Sequence, residues 1–335
     1  MKIKGSKILV TGGAGFIGSH IVDALVKKGA KVKVYDNFSS GFMENLEGVK
    51  NEVEVIKGDI LDFDELNKSI KGCNIVVHQA AQLEIAKCIA DPIEDLTTNA
   101  IGSLNVFNSC VKNNIFKVVW ASSASVYGQL VKRPQDEETH PTNPNWQYGV
   151  SKLSVEKYAN IYNEMYGLPI VSLRYSIVYG PREWWGRVLS IFLKKALENK
   201  PLVIFGDGEQ TRDFIYVGDI VNLNLLSIEK DYDDHLVLNG SSNKEVSIKE
   251  LAETVKIALR KPDLKIVFDK KTKEGGMSKD IGRIRLPSEL KAIKMSNDKA
   301  RKILGWEPRI KLSEGLQKEY AWLRENHHLW KKIKI

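Results

Sequence analysis

The chain lacks the features that would place it in several broad classes. No apolar run approaches the ~18 residues that a membrane-crossing helix needs, so no membrane partner is expected. There are only three cysteines, Cys73, Cys88 and Cys110, with no paired spacing. They read as buried thiols in a reducing cytoplasm rather than a disulfide framework. The six histidines show no ligand spacing, so no metal is expected, and His327-His328 reads as a solvated tail. Met1-Lys2-Ile3-Lys4-Gly5 runs straight into the first expected strand, which in this reading leaves no room for a signal peptide. No internal repeat, no low-complexity linker and no basic stretch with interleaved aromatics is present. That last absence decides how the net charge of +8 is read. A lysine-rich surface or a site for an anionic small substrate fits it, and nucleic-acid binding does not. The basic end Trp330-Lys331-Lys332-Ile333-Lys334-Ile335 reads as a frayed terminus.

What is present is ordinary globular material, 43% hydrophobic and 27% charged over 335 residues, long enough for two domains. Strands are expected at Lys7–Thr11, Lys31–Tyr35, Val53–Lys57, Asn74–His78, Lys117–Ala121 and Ile170–Tyr175. Helices are expected between them at Phe16–Lys28, Phe63–Ile70, Asp95–Asn113 and Gly149–Tyr166. This alternation predicts an α/β fold, a Rossmann-type doubly wound parallel sheet, over residues 1–180. Past Pro181 the alternation weakens. Helices at Val188–Asn199, Ser247–Arg260 and Asn297–Leu304, with a polar loop at Lys270–Ile281, predict a smaller mixed α/β substrate domain over 181–335. A segment within 211–240, near Phe214–Val217, is expected to return to the sheet edge. In such sheets ligands lie past the carboxyl ends of the strands.

Lys7 to Gly18 reads K-I-L-V-T-G-G-A-G-F-I-G, a strand running into a glycine turn and then a helix. Two spacings fit a dinucleotide turn: Gly12, Gly15, Gly18, and Gly13, Gly15, Gly18. Glycines there permit the tight turn, close approach of the pyrophosphate and close helix packing, and the helix N-terminus faces the anion. Strand two ends at Asp36-Asn37, about 20 residues on. A carboxylate there accepts from ribose hydroxyls and repels a 2′-phosphate, which favours NAD over NADP; a plain turn residue is the alternative. Asp59 after Gly58 is placed to meet the adenine amino group, or simply makes a turn.

Strand five runs into Ser122-Ser123-Ala124-Ser125, and Tyr148-Gly149-Val150-Ser151-Lys152 comes next. The spacing puts Tyr148 and Lys152 at i and i+4 on one helix face. A tyrosine is a poor base near neutrality, with a pKa of ~10. A neighbouring ammonium and a cationic nicotinamide favour the phenolate, and Ser123 can bond the reacting oxygen. A surface helix pair is the alternative when the motif stands alone.

Together these motifs resemble the extended short-chain dehydrogenase/reductase family, and within it the nucleotide-sugar epimerases and dehydratases. The resemblance covers nearly the whole chain. It is carried by Thr11 to His20, Asp36-Asn37, His78-Gln79-Ala80-Ala81, Asn99, Ser122-Ser123, Tyr148 with Lys152, Tyr179-Gly180-Pro181-Arg182, Arg212-Asp213-Phe214-Ile215-Tyr216-Val217 and Leu304-Gly305-Trp306. It implies that Tyr148 removes the proton of a sugar 4-hydroxyl while NAD takes the C4 hydride, with Lys152 and Ser123 assisting. The expected NAD residues are Gly12, Gly15, Phe16, Ile17, Gly18, Asp36, Asn37, Asp59, Ile60, Ala80, Ala81, Gln82, Asn99, Ser122, Tyr148, Lys152, Tyr175 and Val178. The expected substrate residues are Ser123, Ser125, Tyr148, Ile177, Arg187, Val203, Phe205, Arg212 and Arg285. Phe205 resembles the segment beside the nucleotide base, and Arg212 and Arg285 resemble diphosphate ligands. A homodimer is implied through the helices Asp95–Asn113 and Gly149–Tyr166, although the same apolar faces would serve a monomer's core.

The two positions after Ser123 decide the branch. Dehydratases of this family carry Asp-Glu there, and decarboxylases and GDP-mannose-type dehydratases a Glu at the second position. Here the residues are Ala124 and Ser125, which favours a 4-epimerase acting on a nucleotide sugar, a UDP-sugar foremost, over a dehydratase, a decarboxylase, a dehydrogenase or an NAD sensor. Ile177 stands where a substrate-binding asparagine is usual. Trp184-Trp185 either stacks on the substrate or packs a domain interface, and Glu84 and Lys87 are candidates for touching the sugar or for plain surface.

Overall fold

The structure, a computed structural model, describes residues 2–129, 132–183, 186–278, 283–285 and 291–327. Trp184-Trp185, the stretch 286–290 and the basic end past 327 lie outside these residues.

The chain begins as a regular alternation: β1 (Lys7–Thr11), α1 (Phe16–Lys27), β2 (Lys31–Asp36), β3 (Val53–Lys57), α2 (Phe63–Ile70) and β4 (Ile75–His78). Then come α3 (Ile85–Ala90), α4 (Pro92–Leu96), a π-helical turn at Thr97–Ile101, α5 (Gly102–Lys112), β5 (Lys117–Ser123), α6 (Gln147–Tyr166) and β6 (Ile170–Tyr175). The expected helix at Asp95–Asn113 therefore starts earlier, because Asp91 caps Pro92 at the first helical position and accepts from Glu94 N at 2.9 Å. It also passes through one wide turn before continuing.

The six expected strands pair in parallel, and a seventh joins them, in the order β11-β6-β5-β4-β1-β2-β3. That seventh strand is β11 (Leu236–Gly240), beside β6. Between β6 and it lie β7 (Ile177–Tyr179), α7 (Val188–Leu197), β8 (Leu202–Phe205), β9 (Thr211–Arg212), β10 (Phe214–Tyr216) and α8 (Val217–Glu229). Of the region 211–240 expected to return to the sheet, β11 does so at its edge, whereas Phe214–Tyr216 pairs as β10 with β7 in a small parallel sheet of its own. The chain closes with β12 (Val246–Ser247), α9 (Ile248–Ala258), β13 (Ile266–Asp269), β14 (Met277–Ser278), β15 (Arg283–Ile284), α10 (Asp298–Leu304) and α11 (Leu312–Glu325). The polar stretch expected as a loop thus holds Met277–Ser278, paired antiparallel with Arg283–Ile284.

Continuous apolar strands bury both sheet faces, as parallel sheets require. Ile8, Val10, Val34 and Val77 pack with α1 and α8 on one face. Leu9, Val76, Val118 and Trp120 pack with α2, α5 and α6 on the other. Trp120 is fully buried and edge-on to Phe107 at 6.4 Å, and truncating it to alanine would cost ~3–5 kcal/mol. A third core, of Phe192, Leu193, Leu251, Val255 and Leu316, sits past the carboxyl ends of the strands. Its members Phe192, Ile204, Phe214 and Ile248 form part of the wall of a cavity there.

Three histidines are built in neutral. Burial, with a nearby cation as a second cause, pulls His20 down to about 4 and His78 to about 3. Burial also holds His235 near 4, against the attraction of Glu156. Each prefers the uncharged ring in the fold, so its contribution is complete above the ordinary histidine pKa of ~6.5 and is lost as pH falls toward about 4. The melting temperature is expected to fall steeply across that window, and His235→Gln to flatten the slope; a melting point unchanged between about pH 7 and pH 4.5 would contradict this.

Candidate active site

A cavity of about 630 Å³ runs along the carboxyl ends of the central strands and under the third core. Its first end is the glycine turn. Gly12 has a left-handed φ of 65°, and a Cβ there would lie 2.6 Å from Ala80 N. A Cβ on Gly18 would lie 2.1 Å from Gly12 O, so this glycine lets the helix pack on the turn. Helix α1 starts at Phe16 with Gly15 as N-cap, no side-chain cap and no acidic residue in its first turn. Its free N–H groups at Phe16 and Ile17 border the cavity, which is what an anion needs.

Asp36 ends β2 and is almost wholly buried. Its carboxylate accepts from Ala14 N at 2.9 Å and Phe38 N at 2.8 Å, and burial raises its pKa against the pull of those bonds. Lone pairs remain for hydroxyl donors. Asn37 donates to Asp59 Oδ2 at 2.8 Å, joining the two acidic turns, and Ile60 lies beside them. Ala80, Ala81, Tyr175 and Val178 also line this half.

Of the expected residues, only Gln82 and Asn99 do not line the cavity. Asn99 is buried at the π-turn and brackets the backbone of Gln82, accepting from its N and donating to its O, both at 2.9 Å. It shapes the loop after β4 from behind. His78 does the same for β1: Ser103 Oγ gives its proton to Asn99 O, so His78 Nε2 donates to Ser103 and Nδ1 accepts from Thr11 Oγ1 at 2.7 Å.

At the middle of the cavity, β5 delivers Ser122 and Ser123, and α6 delivers Tyr148 and Lys152. Ser122 Oγ bonds the buried Glu156, which also grips Arg174 with both oxygens at 2.9 and 2.7 Å. Ser123 hydrogen-bonds Tyr148, whose side chain is nearly buried at 6% exposure. Lys152, 1% exposed, donates from Nζ to Ala121 O at 2.8 Å and lies 5.7 Å from the Tyr148 ring centre. Burial pulls its ammonium down to about 8, against the attraction of Asp95 foremost and of Glu156. Burial raises the Tyr148 hydroxyl; the Arg187 guanidinium is the cation that pulls it back, and the Ser123 bond adds to that pull. Arg187, expected among the substrate residues, is thus also a cation acting on the phenol, beside the neighbouring Lys152.

Arg187 reaches the cavity from the segment after β7, donating to Val178 O at 3.4 Å with Glu183 Oε1 3.6 Å from its Nε. The preceding turn is latched to α1. Arg182, left-handed at φ 71°, places Nη1 2.8 Å from Asp23 and donates to Ser19 at 3.2 Å, and His20 donates to Pro181 O at 2.9 Å.

At the far end, Val203, Phe205, Arg212, Arg285 and Ile177 share the wall. The Arg285 guanidinium lies 6.0 Å above the Phe205 ring and donates to Thr272 O at 3.1 Å, while Arg212 donates to Thr211 O at 2.8 Å. Ala124 and Ser125 also face the cavity. Glu84 lines it, but Lys87 turns to the surface and pairs with Glu94 at 2.7 Å. Sequence reasoning missed Ser39-Ser40, Trp146 and Gln210 on the wall. Each sits two to four residues from a motif it did identify, and that proximity was the available signal.

Comparison with known proteins places this arrangement. The family model "NAD dependent epimerase/dehydratase family" matches residues 8–239. The crystal structure of UDP-glucose 4-epimerase from Thermotoga maritima with UDP-glucose is similar with a TM-score of 0.84 at 34% identity, covering 96% of this chain and 99% of that one. UDP-glucuronic acid 4-epimerase from Bacillus cereus, in complex with UDP-glucuronic acid and NAD, has a TM-score of 0.83 at 30% identity over 96% of this chain and 99% of that one. The human dTDP-D-glucose 4,6-dehydratase is 30% identical over 98% of this chain and 92% of its own length.

Because Gly18 abuts Gly12 O, Gly18→Ala is expected to displace the turn. Dinucleotide affinity measured by calorimetry should fall at least tenfold, about 1.4 kcal/mol, while the fold remains. Unchanged affinity would contradict the role of this turn.

Proposed function

This chain belongs to the NAD-dependent epimerase/dehydratase family, and from that premise we propose that it is an NAD-dependent 4-epimerase of UDP-hexoses or UDP-hexuronates that passes through a transient 4-keto sugar. The observation that carries the reading is the placement of Ser123, Tyr148 and Lys152 midway along one cavity, between the Gly12–Gly18 turn and the wall of Phe205, Arg212 and Arg285.

The residues at the first end suit NAD. The uncapped start of α1 takes a pyrophosphate, and a Cβ at Gly12 would intrude on the loop behind it. Asp36 has acceptor capacity left for ribose hydroxyls, and its charge disfavours a 2′-phosphate. When bound, NAD supplies the acceptor and then the donor of one hydride.

The chain's own groups handle the proton. Tyr148 takes it from the 4-hydroxyl and returns it to the 4-oxygen once the sugar has turned over. Ser123 bonds that oxygen and orders the phenol. Lys152 supports the phenolate and the nicotinamide ribose. Arg187 adds a second positive charge on the phenol's substrate side. Arg212 and Arg285 hold the diphosphate, with the uracil against Phe205. Ala124 and Ser125 face the cavity where a dehydratase keeps its acid and base, so a ketone formed here meets no acid or base at those two positions.

The protein is a homodimer in this reading. Ile93, Leu96 and Ile101 lie along α4 and its π-turn, and Tyr158, Ile161 and Met165 recur at helical spacing on α6. All are exposed, Met165 at 71%. Exposed apolar side chains aligned in this way suit a partner, and a twofold axis between the two helices covers them with a second copy. The three cysteines are free and buried, as a cytoplasmic protein would have them.

Incubation with UDP-glucose is expected to produce UDP-galactose by NMR without net NADH, and Tyr148→Phe to lose at least ~10²-fold in rate. Stoichiometric NADH, or a near-normal Phe variant, would overturn the assignment. Light scattering should give twice 37.8 kDa, and Ile161→Lys with Met165→Lys should give 37.8 kDa; a monomeric wild type would refute the dimer.

A further inference from the structure

Behind Lys152 lies a carboxylate that the mechanism above does not use. Asp95, on α4, is 1% exposed. Its Oδ1 accepts from Asn99 Nδ2 at 2.7 Å, and its Oδ2 accepts from Ser151 Oγ at 2.7 Å. The Cys88 thiol lies nearby, and burial together with that carboxylate holds the thiol protonated. The donors to Asp95 are an amide and a hydroxyl, and both are neutral. A buried carboxylate bonded only by neutral groups needs a cation nearby. Ser151 adjoins Lys152 on α6, and Asp95 is the foremost attraction that offsets the burial of that ammonium. The other nearby carboxylate, Glu156, is engaged by Arg174 and Ser122.

The same side chain is also a mechanical joint. Ser151 belongs to the helix that carries Tyr148 and Lys152. Asn99 holds both backbone groups of Gln82, in the loop that forms the cavity wall. The π-turn at Thr97–Ile101 sets Asn99 one wide turn after Asp95, where its amide reaches both.

We propose that Asp95 is a positioning residue for the reaction: its buried carboxylate is the counter-charge that keeps the Lys152 ammonium charged, and it ties the helix bearing Tyr148 and Lys152 to the loop after β4. The proposal rests on the reading of Lys152 as the ammonium that serves Tyr148. Other groups facing this pair are Cys88 from α3, Glu156 and Tyr148 from α6, His78 from β4 and Arg187 from the opposite wall. His78 is neutral and Glu156 is paired with Arg174, so the neutral variant Asp95→Asn isolates the charge. Asp95 also opposes ionisation of Tyr148, so its removal lowers the midpoints of phenol and ammonium alike.

The test is NMR titration of the protein labelled with ¹³C at the lysine ε-carbon, with Lys152→Met to assign the signal, alongside the pH profile of kcat/KM for epimerisation of UDP-glucose. Asp95→Asn is expected to lower the Lys152 midpoint by about one unit and to move the alkaline limb of the profile down with it, and Asp95→Glu to restore both. Should Asp95→Asn fail to fold, Ser151→Ala carries the test. It removes a neutral donor that shares the carboxylate's charge, and the midpoint should rise. An unmoved midpoint in the folded variant overturns the proposal, even if activity falls through lost stability. An inactive Lys152→Met beside that unmoved midpoint overturns the proposal alone, whereas a fully active Lys152→Met overturns the reading of Lys152 as well.

Discussion

Keeping a buried ammonium beside a buried phenol is the constraint around which this molecule is arranged. Burial disfavours the charged form of both groups: it lowers the lysine and raises the tyrosine. The fold answers with fixed dipoles and charges. The Ala121 carbonyl at the end of β5 meets Lys152, Ser123 meets Tyr148, and Arg187 approaches from the other wall. These groups come from a strand, a helix and a crossover segment, so the sheet must be complete before the pair is set. The pyrophosphate end has no such burden: an uncapped helix and three closely packed glycines suffice there.

The chemistry available to the site is set as much by what stands next to Ser123 as by Tyr148. Ala124 and Ser125 begin a short 3₁₀ turn that faces the cavity, so side chains at these positions would act on the substrate. Neither can exchange protons near neutrality. Ile177 extends the same restraint, placing an apolar surface where a polar contact is usual. The guanidinium groups of Arg212 and Arg285 and the Phe205 ring stand at the far end of the same cavity.

Much of this was legible in the linear chain because the signals are local. The strand-turn-helix at Lys7–Lys27, the acidic turn at Asp36 and the i, i+4 pair Tyr148 and Lys152 each depend on residues within one element or its immediate flank. What escaped depends on distant packing. Strand β11 lies within the region 211–240 expected to return to the sheet, but which part of that region pairs is decided by the neighbouring β6. Phe214–Tyr216 has strand character, but its partner is Ile177–Tyr179, not the main sheet. Lys87 carries the chemistry of a sugar ligand, yet Glu94 draws it to the surface. Asn99 stands in a motif, and its work on the Gln82 backbone becomes visible only once the π-turn is seen.

The Arg182 latch carries a consequence of its own. Bonded to Asp23 and Ser19 on α1, and joined there by the His20 bond to Pro181 O, it fixes the turn after β7 to the helix whose N-terminus borders the cavity. A displacement of that turn would therefore be transmitted to the start of α1, at the other bank of the cavity.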